Sequence, residues 1–367
     1  MKRIICFHLY NDFSGSPIVL RMVLEGLLRK GFKVDLVTSN GGVLDELVGM
    51  DGLTKHSYFY RFSNNPAMTM ARYAAVQIYT FFLAFRWIFN RDVVFYINTL
   101  LPVGPALAGR IMGKRVVYHY HENAFIKGMF YKTLSWMMQR LAHEIMCVSE
   151  YQASSLADRS KVRVIPNALP KAFVEKLKPD TERAFRQKNI LMLASLKAYK
   201  GTKEFIELSA RMPEYRFTLV LNDSQENIDD YISANSLQKT IGANLTIFPR
   251  QNDVTPFYNK ASLLLNLSDK NRVIETFGMT VLEAMSAALP VIVPTEGGVA
   301  EMVDDGVNGY KIDVSEMDKI EKRIREMLSD IDIYRKMSHN AITRAQLYDS
   351  DNMTEKIANT IRLFHGY

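Results

Sequence analysis

Short, continuously apolar runs alternate with longer stretches of helical spacing along most of the 367 residues. A strand that is apolar at every position must be covered on both faces, and a parallel sheet flanked by helices does this. In the first half these runs are RIICFHL, KVDLVTS, DVVFYIN, RVVYHYH, EIMCVS and VRVIPN, with helical segments such as Val19–Arg29 between them. In the second half they are ILMLAS, FTLVLN, LTIFP, LLLNLS and PVIVP, with NGYKI as a shorter one. The pattern stops and restarts at Pro170–Lys188, a charged segment with two prolines that reads as a linker. The expected architecture is α/β, with two Rossmann-like doubly wound domains, 1–175 and 185–345, facing a cleft. The amphipathic segment 346–367 is expected to pack its helix back on the N-terminal domain. Ligands of such sheets bind outside the carboxyl ends of the strands, here in the cleft.

A chain that is 48% hydrophobic and 23% charged can bury a core in each domain, which excludes a disordered chain, a collagen or a disulfide scaffold. The net charge of +7 favours an anionic partner. Cys6 and Cys147 each sit in an apolar run and read as buried small hydrophobes of a reducing compartment. The apolar run after Lys2 and Arg3 ends at His8, too soon for a signal peptide. The longest greasy stretch, Ala74–Phe89, is interrupted by Gln77 and Arg86 and falls short of the ~20 residues of a membrane span. The expected location is the cytoplasm.

The most informative segment is Leu263–Val293, which reads as strand, polar loop, helix and strand. Gly278 stands where the loop turns into the helix, so the helix from Met279 aims unpaired N–H groups and its positive dipole end at the crevice. Glu275 in the loop and Glu283 inside the helix bracket this turn; spacing alone favours a loop charge and a surface helix residue, and the other reading makes them acceptors for hydroxyls on either side of an anion. Earlier, strand ILMLAS runs into a loop with Lys197, Lys200 and Gly201, and a helix opens near Thr202. Lys200 there is either a solvated lysine, the commoner fate of a single Lys, or a cation set beside a helix N-terminus to neutralise a diphosphate. The Gly297–Gly298 pair after PVIVP allows backbone N–H groups to approach a ligand.

Together these pieces resemble the family-4 retaining glycosyltransferases of the GT-B fold. The family's Glu, seven residues, Glu signature stands as ETFGMTVLE, Glu275 to Glu283, and the match continues through Pro290, Gly297–Gly298, Glu301 and Gly306 to Gly309. The resemblance implies that Glu275 contacts the donor sugar's hydroxyls and Glu283 the ribose. It places the backbone of Phe277, Gly278, Met279 and Thr280 on the diphosphate and has Lys200 stabilise the leaving group. The family's Gly-Arg before the Lys-Gly pair is Ala194-Ser195 here, leaving Lys197 as the substitute charge, although lysine lacks the arginine fork. In the N-terminal half, Asn11–Lys33 resembles the family's glycine-rich loop and first helix, with Gly15 and Ser16 near the donor phosphates. VVYHYHEN resembles the strand ending in a His-acid pair, with His121 next to Glu122 the candidate at the reacting centre and His119 the alternative. Ser149 and Asn167 occupy positions that often face the cleft.

The implied reaction moves a hexose from a nucleotide diphosphate sugar to an acceptor hydroxyl, without a cofactor or metal. A lipid-linked glycan of bacterial surface-polysaccharide synthesis is the acceptor suggested. Tyr58–Asn90 and Lys127–Arg140 are rich in aromatics, Met and Arg. Packing on the first sheet is expected to account for most of their apolar positions, with contact to an anionic membrane at the inner face of the cell membrane the alternative. A nucleotide-sugar epimerase of the same fold and a non-catalytic nucleotide-sugar-binding protein are the rival functions. No GxGxxG follows the first strand, and the dispersed basic residues give no nucleic-acid motif.

Overall fold

The computed structural model describes residues 2–123 and 128–364, so Lys127 and 365–367 lie outside the described residues. The chain forms two compact units, one of 1–167 with 350–367 and one of 168–349. The first holds a seven-stranded sheet in the order β3-β2-β1-β4-β5-β6-β7. These strands are β1 (Arg3–Phe7), β2 (Lys33–Ser39), β3 (Leu53–Tyr58), β4 (Val93–Asn98), β5 (Arg115–Tyr120), β6 (Glu144–Cys147) and β7 (Val162–Val164). The second holds six strands, β8 (Asn189–Ala194), β9 (Arg216–Leu221), β10 (Leu245–Phe248), β11 (Leu263–Leu265), β12 (Val291–Val293) and β13 (Gly309–Lys311), in the order β10-β9-β8-β11-β12-β13. Every pairing is parallel. Each sheet therefore reverses its winding once, between β1 and β4 and between β8 and β11, and the loops leaving those strands diverge to open a crevice.

The apolar runs become the central strands, and Ile4, Ile5, Phe95, Ile97, Ile190, Leu191, Leu263 and Leu264 are all fully buried. Sequence patterning missed β3. LTKHSY has no continuous apolar run, because an edge strand pairs on one side only and keeps polar residues toward solvent. The two cysteines are free and buried, and burial pushes the Cys147 thiol up to about 12.

Three expectations need correction. Pro170–Lys188 is not a linker but folds into the second unit, because the division falls between Asn167 and Ala168 rather than near 175. Helices Lys171–Val174 and Thr181–Gln187 lie in this segment, Leu177 and Ala184 are buried, and Ser262 Oγ donates to the Ala184 carbonyl at 2.5 Å. The chain returns to the first unit at Ser350. Core packing also fails to account for the apolar positions of helix Pro66–Ala84, which buries only Val76, Thr80 and Ala84 fully. Met68, Ala71, Ala75, Ile78 and Phe82 form an exposed stripe at alternating spacings of three and four, which is one face of a helix. Among the described residues no helix is long and apolar enough to cross a membrane.

Helix Ser350–Arg362 lies on helix Gly15–Arg29, held by burial of Met353, Ile357 and Ile361 and by the Lys30–Glu355 ion pair. Gly26 makes this approach possible, since a Cβ there would stand 2.4 Å from Thr354 Cγ2. Gly26→Ala should therefore lower stability by about 1–3 kcal/mol from overpacking, outweighing the roughly 1 kcal/mol gained from helix propensity. Thermal unfolding checks this, and adding Thr354→Ala, which removes the colliding atoms, should restore the loss.

Candidate functional site

In the second unit the switch between β8 and β11 brings two loops side by side. β8 ends at Ala194, and its loop passes Ser195, Lys197 and Lys200 before helix Thr202–Arg211 opens at Gly201. Gly201 has φ +76°, and a Cβ there would lie 2.4 Å from both the Leu267 carbonyl oxygen and Cβ. Only glycine combines that backbone with that approach, so the β8 loop can lean on the β11 loop. The Asp269 N–H donating to the Tyr199 carbonyl at 2.9 Å locks the same contact.

The contact pairs Lys200 with Glu275. Lys200 Nζ lies 2.5 Å from Glu275 Oε1, which also accepts from Ser268 Oγ at 2.5 Å, while Asn266 Nδ2 donates to Oε2 at 3.3 Å. Burial alone would raise the Glu275 carboxyl. The Lys200 ammonium and the Ser268 and Asn266 hydrogen bonds outweigh it and hold the group below the usual carboxylate range. The Glu275 backbone is fixed as well. Gly298 N–H donates to its carbonyl at 2.8 Å, and Gly297, at φ +106°, leaves room where a Cβ would meet that carbonyl at 2.7 Å. The glycine pair thus positions Glu275. Lys270 braces the same loop through Asp313 at 2.7 Å and Thr295 at 2.8 Å.

Helix Met279–Ser286 begins just beyond Glu275, with Gly278 as its cap and no side chain on its first amides. The N–H groups of Met279, Thr280 and Val281 have no partner within the helix, and no acid in the first turn opposes an anion. Gly278 is required by crowding, since a Cβ would stand 2.5 Å from Val299 Cγ2. The Phe277 ring packs edge-on against Tyr348, so its side chain serves the core and leaves its backbone for a ligand. Lys197 is exposed, with its ammonium 5.9 Å from the Tyr199 ring centre. Ser195 is half-buried, and its carbonyl accepts from Lys197 N–H at 2.7 Å.

Glu283 has a partner that the sequence did not suggest. Tyr258 Oη donates to Glu283 Oε2 at 2.5 Å. Burial pushes the Glu283 carboxyl up to about 7, the tyrosine bond offsetting part of it. Tyr258 is buried, 25 residues earlier in the chain, in TPFY, where no local pattern marks it.

In the first unit the switch between β1 and β4 gathers imidazoles. His8 follows β1, Asn98 ends β4, His119 lies near the end of β5 and His121 follows it. The Asn98 amide spans two rings, donating from Nδ2 to His8 Nδ1 at 3.0 Å and accepting at Oδ1 from His121 Nε2 at 3.2 Å. The His119 and His121 rings lie 4.1 Å apart, and Tyr96 Oη is 2.7 Å from His119 Nδ1. Burial lowers all three histidines, His8 to about 4 and His119 to about 3, so they are neutral at pH 7. Thr99, beside them, holds φ +73°, a strained conformation for a β-branched residue. Glu122 accepts from Leu100 N–H, which ties its carboxylate to the β4 loop.

Gly15 and Ser16 open helix Gly15–Arg29 in this unit, and a Cβ at Gly15 would meet nothing within 4 Å. Ser149 Oγ caps helix Glu150–Ser154 by accepting from Gln152 N–H at 3.1 Å, and Asn167 is buried. His8, Asn98 and Thr99 are site candidates that sequence reasoning passed over. Among the described residues, no group of three His, Cys, Asp or Glu side chains is placed to hold a metal.

Residues 173–344 match the model of the group 1 glycosyl transferases, and residues 13–172 that of glycosyltransferase family 4. The chain belongs to this glycosyltransferase family, with its two-domain Rossmann-like GT-B fold. It is 35% identical to a sucrose synthase of Denitrovibrio acetiphilus over 78 residues, which are 20% of this chain and 10% of that protein. The matched stretch thus spans about a tenth of that relative. It is 23% identical to the lipopolysaccharide glucosyltransferase WaaG of Escherichia coli over 253 residues, 66% of each chain. The structure of Anabaena Alr3699/HepE in complex with UDP and glucose superposes with a TM-score of 0.77 at 18% identity, over 99% of this chain and 100% of that one, a likeness of fold.

The raised Glu283 gives a pH signature. A carboxyl whose folded value lies above its unfolded value binds protons more tightly when folded. Its cost to stability is therefore absent below the unfolded value and grows as pH rises toward about 7. Glu283→Gln should raise stability at pH 8 by about 1–3 kcal/mol and leave it nearly unchanged at pH 4. Melting curves at the two pH values check the difference.

Proposed function

We propose that the chain is a retaining glycosyltransferase that moves a hexose from a nucleoside diphosphate sugar to a hydroxyl of a lipid-linked glycan, in the assembly of a bacterial surface polysaccharide. The observation that carries this reading is the Lys200–Glu275 pair, set next to the open amide end of helix Met279–Ser286 at the carboxyl ends of β8 and β11. A diphosphate takes the amides of Phe277 to Thr280 and the Lys200 ammonium. Glu275 accepts from the sugar's hydroxyls and Glu283 from those of the ribose. WaaG is named a lipopolysaccharide glucosyltransferase, and the Anabaena structure holds UDP with glucose, which supports a nucleotide-sugar donor here.

As the bond from the sugar's anomeric carbon to the phosphate oxygen breaks, positive charge grows on the ring and negative charge on the leaving diphosphate. In this proposal that negative charge falls on Lys200, held by its ion pair, and on the uncapped helix amides, groups that stabilise the transition state without reorganising. Protein groups supply this stabilisation, and no metal is required. His121, neutral and oriented by Asn98, contributes a polar imidazole to the reacting centre rather than a charge.

A greasy, basic face on the first unit supports a lipid-linked acceptor and a peripheral place on an anionic membrane. From Gly52 to Arg91 there is no acid, and Arg61, Arg72, Arg86 and Arg91 supply cations, while Lys55 is taken up by Asp45. Phe82 is 68% exposed, Ile78 61% and Phe89 92%. Helix Met129–Leu141 of the same unit also carries an exposed aromatic, Trp136. Apolar side chains flanked by cations and free of acids suit the boundary of an anionic bilayer.

Lys200→Ala and Glu275→Ala should each lower turnover at least about a hundredfold with melting temperatures close to wild type. Glu283→Ala should weaken nucleotide binding most. A screen of nucleotide sugars for binding and slow hydrolysis identifies the donor, and acceptor-dependent release of nucleoside diphosphate, unaffected by a chelator, separates a transferase from an epimerase. Near-wild-type turnover in both the Lys200 and Glu275 variants refutes the site. Wild-type protein should float with anionic liposomes at low salt, and Ile78→Glu with Phe82→Glu should remain in the dense fraction. Absence of flotation by the wild type removes the membrane contact.

A further inference from the structure

The charge that makes Pro170–Lys188 unlike a packed segment gathers at one place in the second unit. A cleft of about 580 Å³ is lined there by residues between 176 and 187 and between 253 and 260. Four of them are cations, Lys176, Lys178, Arg183 and Lys260, against one acid, Asp253. The cleft lies just before the amino-terminal ends of β8 and β11, whereas Lys200 and Glu275 follow the carboxyl ends of the same strands. The backbone that carries the lysines is fixed. Asn259 Oδ1 accepts from Lys178 N–H at 2.7 Å, Asn259 Nδ2 donates to the Lys176 carbonyl at 3.1 Å, and Arg183 Nη2 donates to the Lys178 carbonyl at 2.7 Å. Leu177, buried between the two lysines, anchors the same stretch. Asp253 pairs with Lys176 at 3.2 Å and otherwise accepts from Thr255. Asp180 caps its helix through Arg183 N–H, and Glu182 pairs with Arg335. Among the described residues no acid lies within ion-pair distance of Lys178, Arg183 or Lys260, and Arg183 Nε is buried without an acceptor.

Gathering like charges around one counter-charge costs Coulomb energy, and the low-dielectric walls of a cleft concentrate the resulting field. We propose that this cleft is a second anion site, distinct from the donor site, that takes the phosphate or diphosphate group of a small molecule or of a lipid headgroup. Its excess of three positive charges sets the class of ligand. A single carboxylate would leave two of them uncompensated, whereas a phosphate ester carries about −1.5 to −2 and offers three strong acceptor oxygens. Lysine ammoniums serve such a group as point charges and need no fixed fork geometry. The volume falls within the ~300–1,000 Å³ of small-molecule sites, so the cleft also has room for what the phosphate is attached to. A bound phosphate bridges the two walls and relieves the repulsion between their cations, so it steadies both. The site uses neither Lys200 nor Glu275 nor the amides of helix Met279–Ser286, and it stands whether or not the donor reading does.

The test is amide hydrogen exchange of the full chain at constant ionic strength, with inorganic pyrophosphate as the probe. Peptides covering 174–187 and 253–260 should gain protection, whatever happens at 195–202 and 275–283, which report on the donor site separately. Lys178→Ala combined with Lys260→Ala removes two exposed side chains and should raise the pyrophosphate concentration needed for that protection at least about tenfold. Lys239→Ala combined with Lys336→Ala, exposed lysines outside the cleft, should leave it unchanged. No protection of the two walls, or equal protection in the Lys178 and Lys260 variant, overturns the site. An equal loss in the Lys239 and Lys336 variant overturns it as well, because the attraction is then diffuse. Flotation with phosphatidic acid vesicles names the source of the phosphate. Weaker flotation of the Lys178 and Lys260 variant than of wild type assigns the site to a lipid headgroup, and equal flotation, or none by either, assigns it to a soluble phosphorylated ligand.

Discussion

The ion pair between Lys200 and Glu275 is the contact on which the second unit's site depends. Seventy-five residues separate the two side chains in the chain, and each comes from a different loop. An ion pair taken partly out of water does not by itself contribute much stability, because desolvation offsets most of the Coulomb gain. What makes it sustainable is the shell around it. Ser268 and Asn266 occupy two more lone-pair sites of Glu275 and leave one open on Oε2, and Gly201 lets the loops meet without a Cβ between them. The result is a cation and an anion held in place next to a helix end before any ligand arrives, which is what preorganised electrostatic catalysis requires.

The two sheets share a winding rule but differ in the chemistry at their switch points. In the second unit the crevice holds formal charges, Lys200 and Glu275, and the dipole of a helix. In the first it holds buried imidazoles kept neutral by desolvation and linked through Asn98. Formal charges therefore line the second unit's switch point, while the first presents hydrogen-bonding groups of fixed orientation. Thr99 and Glu283 show the cost of such arrangements. One is a β-branched residue in the left-handed region, and the other is a carboxyl whose burial lifts it toward neutrality. Neither helps the fold, and unfavourable local features that a structure retains concentrate where ligands bind.

Much of this was legible in the chain itself. Apolar runs such as VVFYIN and ILMLA can only be interior strands, so two parallel sheets and the loops at their carboxyl ends followed directly. Lys200, Glu275, Gly278 and Glu283 were legible because each stands at a local landmark, a strand end, a helix start or a glycine turn. Other features were hidden for physical reasons. LTKHSY is an edge strand and has no two-sided apolar signal. Pro170–Lys188 is charged, yet it folds onto the second unit through a few residues such as Leu177 and Ala184.

Local sequence thus determined which segments are strands and helices and which residue types stand at their ends, since periodicity, glycine and capping act over a few positions. Tertiary structure alone decided the partners. It set Lys200 against Glu275, Tyr258 against Glu283, and Asn98 between His8 and His121, pairings that depend on strand order rather than on spacing along the chain. It likewise decided that the stripe from Met68 to Phe82 faces outward. An apolar side chain has the same composition whether or not a neighbour covers it, and only the packed fold determines which neighbour is there.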